Sequence, residues 1–151
     1  MKDEIISLPR VQGLYPKVIQ PFTDFVNACE AKLNIKLRVT EAMRSIAYQN
    51  ALYAQGRTTP GNIVTKAKGG SSYHNYGLAI DLAVLENGAM NWNYDMSKLV
   101  PFMSPGMEWG GNWKTIIDKP HFQIPFGLTW QQLFAKYNAK DFIAGTNFVN
   151  I

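Results

Sequence analysis

Ser72-Tyr73-His74-Asn75-Tyr76-Gly77-Leu78-Ala79-Ile80-Asp81 is the stretch from which the fold of this chain can be read. One of its two histidines lies here, followed by a turn-forming triplet and an apolar run broken by one carboxylate. As a straight strand, the stretch would hold the Cα atoms of His74 and Asp81 roughly 23 Å apart, at about 3.3 Å per residue. No metal ion, with ligand bonds of about 2 Å, is shared across such a gap. If the two residues serve one site, the chain must fold back at Asn75-Tyr76-Gly77, which are residues suited to a turn. Beyond the turn, Leu78 to Val84 reads as a strand, ended by Glu86-Asn87-Gly88. Ala79, Asp81 and Ala83 then share one face, opposite Leu78, Ile80 and Leu82. An aspartate on a face kept clear by alanines is costly to bury unless it is paired or bound to a cation.

The other histidine sits in Asp118-Lys119-Pro120-His121-Phe122. Pro120 pushes Lys119 towards an extended conformation, so His121 to Ile124 reads as a strand with His121 and Gln123 on one face. Two histidines and a carboxylate suffice to hold a catalytic zinc with one coordination position left for water. Asp118, three residues before His121, is placed to act as the base that chemistry at such a water requires. No His-Glu-x-x-His string occurs, which excludes helix-borne zinc peptidases.

Working outward, residues 15 to 33 read as an amphipathic helix, with Val18, Phe22, Phe25, Val26, Cys29 and Leu33 on one face. Ile35 to Thr40 alternates as a half-buried strand. Ser45 caps a helix running through Gln55, with Gly56 at its stop. Residues 57 to 73, rich in Gly, Thr, Ser and Lys, read as a long functional or mobile loop. A short helix is expected from Asp95 to Phe102, limited by Pro101, and another from Thr129 to Tyr137. Strands and helices alternate without a βαβ rhythm, so the expected class is α+β: one domain over residues 1 to 151, with a small antiparallel sheet carrying the metal ligands and helices packed around it. The tail, residues 129 to 151, has no role that the sequence discloses.

Composition narrows the function classes. With 46% hydrophobic and 17% charged residues the chain is globular in character, and its short apolar runs predict no membrane insertion. Residues 1 to 14 lack an apolar signal-peptide core. The single cysteine, Cys29, excludes an intramolecular disulfide and cysteine-rich zinc fingers, and its neighbours mark it as a small buried hydrophobe. A net charge of +4 favours a polyanionic partner, but no basic block or helix-turn-helix pattern supports nucleic acid.

Ser72-x-His74-x-x-Gly77-x-Ala79-x-Asp81 followed by Asp118-x-x-His121 resembles the zinc peptidases of the D-alanyl-D-alanine carboxypeptidase and dipeptidase superfamily. Arg44-Ser45, Gln49 to Thr58, Gly69 to Gly77 and Glu108-Trp109-Gly110-Gly111-Asn112-Trp113 are similar to stretches of L-alanyl-D-glutamate peptidases, phage endolysins especially. The resemblance spans about residues 8 to 126. It implies one zinc ion held by His74, Asp81 and His121, with Asp118 as general base. It further implies that Arg44 polarises the scissile carbonyl or holds substrate, and that Ser72, Gln49 and Trp109 contribute to substrate binding. The implied partner is the peptidoglycan stem peptide, cleaved at the L-alanyl-D-glutamate bond by a monomer. An endolysin would be made in the host cytoplasm and reach the wall through a holin pore. Two rivals stand beside this expectation: the same chemistry on a D-alanyl-D-alanine bond, and a non-catalytic zinc-stabilised module that binds cell wall.

Overall fold

A computed structural model describes residues 1–151. The apolar run after Gly77 forms β2 (Ala79–Glu86), the central strand of the sheet. On one side it pairs antiparallel with β1 (Leu37–Glu41), Leu37 opposite Val84 and Val39 opposite Leu82. Its other edge is shared in succession. The first half pairs with β5 (His121–Gln123) and the second with β3 (Ala89–Asn91). The short β4 (Glu108–Trp109) completes the sheet beyond β5, and every pairing is antiparallel. The class is therefore α+β with a small antiparallel sheet, as expected.

One sheet face builds the core. Leu37, Val39, Ile80, Leu82, Val84 and Phe122 are all buried there. They meet the apolar face of α2 (Pro16–Leu33), where Phe25 lies 5.0 Å from the ring of Phe122. Pro16 opens α2, where no backbone N–H is needed, and Asn34 closes it in the left-handed conformation at φ 52°. Cys29 is fully buried on this face, and desolvation pushes its thiol up to about 12, so it packs as a hydrophobe.

The helix α1 (Glu4–Gln12) has no counterpart in the expectations above. Polar contacts hold it along the free edge of β1. Ser7 Oγ accepts from Val39 N at 2.9 Å, and Arg10 Nη1 donates to Val39 O and Thr40 O at 2.6 and 2.9 Å. Arg38 Nε pairs with Asp3 at 2.8 Å, while Glu30 of α2 accepts from Leu37 N at 3.0 Å. The edge strand's unpaired backbone groups are thereby satisfied by side chains.

The helix α3 (Ile46–Ala54) is capped by Ser45 Oγ, which accepts from Tyr48 N at 3.0 Å. Met96–Phe102 forms a tight 3₁₀ helix instead of an α-helical turn, in keeping with Pro101 inside it. The α4 helix (Trp130–Asn138) begins in a capping box between Thr129 and Gln132. Beyond it, Phe142 bridges Val149, and Phe148 packs edge-on against Tyr15 at 5.6 Å. Leu133 and Val149 are buried in the same core as α2, which gives the tail a packing role.

Candidate metal centre

The fold-back demanded between His74 and Asp81 is a single 3₁₀ turn, Tyr73–Tyr76. Ser72 Oγ accepts from His74 N at 3.3 Å, and Asn75 Oδ1 accepts from Gly70 N at 2.9 Å. Gly77 ends the turn at φ 69° and lies against α2's entry, where a Cβ would stand 2.8 Å from Tyr15 N. Only glycine combines that conformation with that approach. From the other side, the β2–β5 register sets Asp81 directly opposite His121, so both side chains leave the same face. Glu41 of β1 stands opposite Asp81 on its other side.

Three atoms converge. His74 Nε2, His121 Nδ1 and Asp81 Oδ1 are separated by 3.1, 3.2 and 3.2 Å. The remaining ring nitrogens are already committed. His74 Nδ1 lies 2.7 Å from Ala42 O, which can only accept, so that nitrogen carries the proton. His121 Nε2 donates to Gln123 Oε1 at 2.8 Å, an orientation fixed because Gln123 Nε2 donates to Glu108 Oε2 at 2.8 Å. With the rings neutral, as metal binding requires, both inward nitrogens present lone pairs to each other and to a carboxylate oxygen. A cation among them relieves that repulsion, as the protons of the charged rings otherwise would. Zinc bonds of about 2.0–2.1 Å in a tetrahedron place neighbouring donors about 3.3 Å apart, close to the observed triangle. The residues fit a zinc ion, and no fourth side chain of histidine, cysteine or carboxylate joins them.

The charges shape the titrating groups. Burial would raise Asp81, but the charges and hydrogen bonds of His74 and His121 outweigh it and hold the carboxyl well below the ordinary range. Burial would lower His121, yet its contact with Asp81 raises it. Asp118 is pushed up by burial first and by the neighbouring Asp81 charge second. A carboxyl so raised in a cleft is suited to taking and returning a proton. Gly110 sets its position: Asp118 N donates to Gly110 O at 3.0 Å, and a Cβ on Gly110 would collide with Asp118 O.

These groups face a cleft of about 910 Å³, shared by Arg44, Ser72, His74, Asp81, Asp118 and His121. The Arg44 backbone is bolted to the 3₁₀ turn through His74 O and Asn75 Nδ2, each at 3.0 Å. Its guanidinium bonds Gln49 Oε1 at 3.0 Å and Glu41 at 3.3 Å, and lies 3.8 Å from Asp81 Oδ2. Two expected substrate-binding residues stand elsewhere. Gln49 is fully buried, its amide held between Arg44 and Ala67 O, so it reaches the cleft only through Arg44. Trp109 donates Nε1–H to Lys119 O at 2.7 Å and stacks on Phe122, leaving the wall of the cleft to Trp113, 5.1 Å from the His121 ring. Sequence reasoning missed the roles of Glu41, Trp113 and the Gln123–Glu108 pair. The one available signal was Gln123 sharing a strand face with His121.

The chain is similar in sequence and in fold to known proteins. Residues 65–124 match the family described as D-alanyl-D-alanine carboxypeptidase. The chain is 40% identical over 130 residues to the peptidoglycan L-alanyl-D-glutamate endopeptidase CwlK of Bacillus subtilis, covering 78% of this chain and 77% of that protein. It is 35% identical over 60 residues to an L-alanyl-D-glutamate peptidase of a Listeria phage, 36% of this chain and 21% of that one. The crystal structure of Serratia marcescens L-Ala D-Glu endopeptidase ChiX shares the fold, with a TM-score of 0.58 at 24% identity over 80% of this chain and 86% of that chain.

Proposed function

The chain belongs to the D-alanyl-D-alanine carboxypeptidase family of metallopeptidases, and we propose that it is a zinc endopeptidase cutting the L-alanyl-D-glutamate bond of peptidoglycan stem peptides. The observation that carries the metal is the triangle of inward lone pairs on His74, Asp81 and His121, opening onto a cleft. The likeness to CwlK over most of both chains supports the choice of bond. The open cleft beside three protein donors also weighs against a purely structural zinc, which would close its fourth position with a side chain.

Held by His74, Asp81 and His121, a zinc ion would supply Lewis acidity to the scissile carbonyl and would make a water molecule a nucleophile at neutral pH. The protein's own groups do the rest. Asp118, raised by burial, takes a proton from the attacking water and delivers it to the leaving amine. Arg44, anchored on Glu41 and Gln49, presents a fixed positive charge to the oxygen on which negative charge builds. Ser72, on the cleft wall, orients the peptide backbone, and Trp113 excludes water beside His121.

The phage relative supports a part in host-cell lysis; the Bacillus relative, matched over more of the chain, supports trimming of a bacterium's own wall. Mass spectrometry of fragments released from purified peptidoglycan, with and without a chelator, tests the bond and the metal together. New D-glutamyl amino termini that vanish with the chelator are expected. Release of free D-alanine would overturn the choice of bond, and chelator-resistant cleavage would overturn the metal.

A further inference from the structure

The loop after α3, conspicuous in the sequence for its Gly, Ser and Lys content, builds one wall of a side groove of about 320 Å³. Lys66, Ser71 and Trp130 line both this groove and the catalytic cleft, so the two are continuous. The floor is Trp130 and Phe134 of α4, and Lys68 stands at the side. The wall is fixed: Gly69 N donates to Asn50 Oδ1 and Gly70 N to Asn75 Oδ1, each at 2.9 Å. At φ +89°, Gly70 lies so close to the Phe134 ring that a Cβ would reach 2.5 Å from it.

Charge separates the two ends of this continuous surface. Glu41, Asp81 and Asp118 all stand at the metal end, and no carboxylate lines the groove. The Arg44 guanidinium is already balanced by Glu41 and Asp81. Lys68 has its ammonium 5.5 Å over the Tyr53 ring. Lys66 is exposed and makes no hydrogen bond or ion pair, which leaves it as the free cation between cleft and groove.

Resting on the endopeptidase reading above, we infer that Lys66 and the groove of Lys68, Trp130 and Phe134 form a subsite for the acidic arm of the substrate. In a stem peptide the chemistry is lopsided. The L-alanyl side leads through an amide to a neutral glycan, whereas the γ-linked D-glutamyl side carries a free α-carboxylate next to the bond to be cut. The cationic end of the surface therefore receives the D-glutamyl side, and the glycan leaves by the opposite end. Lys66 pairs with the α-carboxylate, and Trp130 packs against the aliphatic part of the residue that follows.

Paired synthetic stem peptides test this, one with the D-glutamyl α-carboxylate free and one with it converted to the carboxamide. The native protein should show a KM about tenfold lower for the carboxylate peptide, the size of one charge-assisted hydrogen bond, with similar kcat on both. Lys66→Ala should raise KM for the carboxylate peptide until the preference disappears, and Lys66→Arg should restore it. Zinc content measured on each variant guards against an indirect effect on the metal. Persistence of the preference in the double variant Lys66→Ala, Lys68→Ala would overturn the subsite. Failure of the native protein to cut either peptide would instead sink the endopeptidase reading itself.

Discussion

Replacing Gln123 by alanine removes no metal ligand, yet it should weaken zinc binding 10- to 100-fold. Gln123 and His121 are only 4% and 5% exposed, so water cannot replace the 2.8 Å bond between them. Without that acceptor, zinc binding through Nδ1 leaves a buried Nε2–H unsatisfied, at a cost of about 1–3 kcal/mol. The metal-free protein escapes the cost by moving the His121 proton to Nδ1, where Asp81 accepts it at 3.2 Å. The penalty therefore falls on the bound state, and 1.4 kcal/mol corresponds to about tenfold in affinity. Competition with a chromogenic zinc chelator measures the loss, and melting of the metal-free protein separates it from misfolding. The double exchange Gln123→Glu with Glu108→Gln keeps an acceptor for His121 and a partner for it in turn, so it should recover most of the affinity. Native zinc affinity in Gln123→Ala would show that the His121 orientation is fixed by something else.

Asp118→Asn should abolish peptide cleavage while zinc content stays at the native level; turnover within tenfold of native would remove Asp118 from the mechanism. Dialysis against a chelator should eliminate activity, and one equivalent of zinc should restore it, measured by release of D-glutamyl amino termini. Gly110→Ala forces a methyl group onto Asp118 O and to 3.2 Å from His121 Cβ, and should destabilise the fold by about 1–3 kcal/mol, with a disproportionate loss of kcat. Asp3 is held below its ordinary value of 3.8, chiefly by its hydrogen bond from Arg38 and against the opposing effect of burial. A depressed carboxyl stabilises the fold fully above its unfolded value and loses that contribution as pH falls through the folded one. Native protein should thus exceed Asp3→Asn in stability near neutral pH, with the gap closing below about pH 4 in urea titrations, near the unfolded carboxyl value.

What the sequence made legible was whatever depends on local pattern. The α2 face shows as apolar spacing, the Ser45 and Thr129 caps as cap residues, and the return at Gly77 as a turn triplet before a strand. The cluster of His74, Asp81 and His121 that could hold a metal was legible because an aspartate on an alanine face is conspicuous. α1 was not, because Ser7, Arg10 and Asp3 attach it to β1 by hydrogen bonds, which leave no apolar period in the sequence. Trp109 and Trp113 are four residues apart in a Gly-rich string, and only the pairing of β4 with β5 decides which one faces the cleft. The role of Gln49 depends on a loop carbonyl at Ala67, eighteen residues away, which no local pattern announces.

The charge balance around His74, Asp81 and His121 favours a divalent ion in the proposed site. Glu41, Asp81 and Asp118 set three carboxylates in one cleft against the single guanidinium of Arg44. With both histidines neutral, the form that binds a metal, the three carboxylates against Arg44 leave a formal charge of −2 at the metal end of the cleft, Lys66 making no ion pair with them. Partial burial makes such an excess expensive, and the upward push of Asp81 on Asp118 is one expression of it. A +2 ion cancels the excess where three lone pairs already converge. It also relieves the repulsion between Asp81 and Asp118, so the base can stay ionised beside a ligand of like charge. Arg44 alone cannot do this, because its two terminal nitrogens are divided among Gln49, Glu41 and Asp81. Neutralising Glu41 as Glu41→Gln should therefore loosen Arg44 and reduce the demand for the cation together, lowering kcat and zinc affinity in one variant. Loss of kcat with zinc affinity intact would show that Glu41 acts on Arg44 alone and that the charge count does not govern the metal.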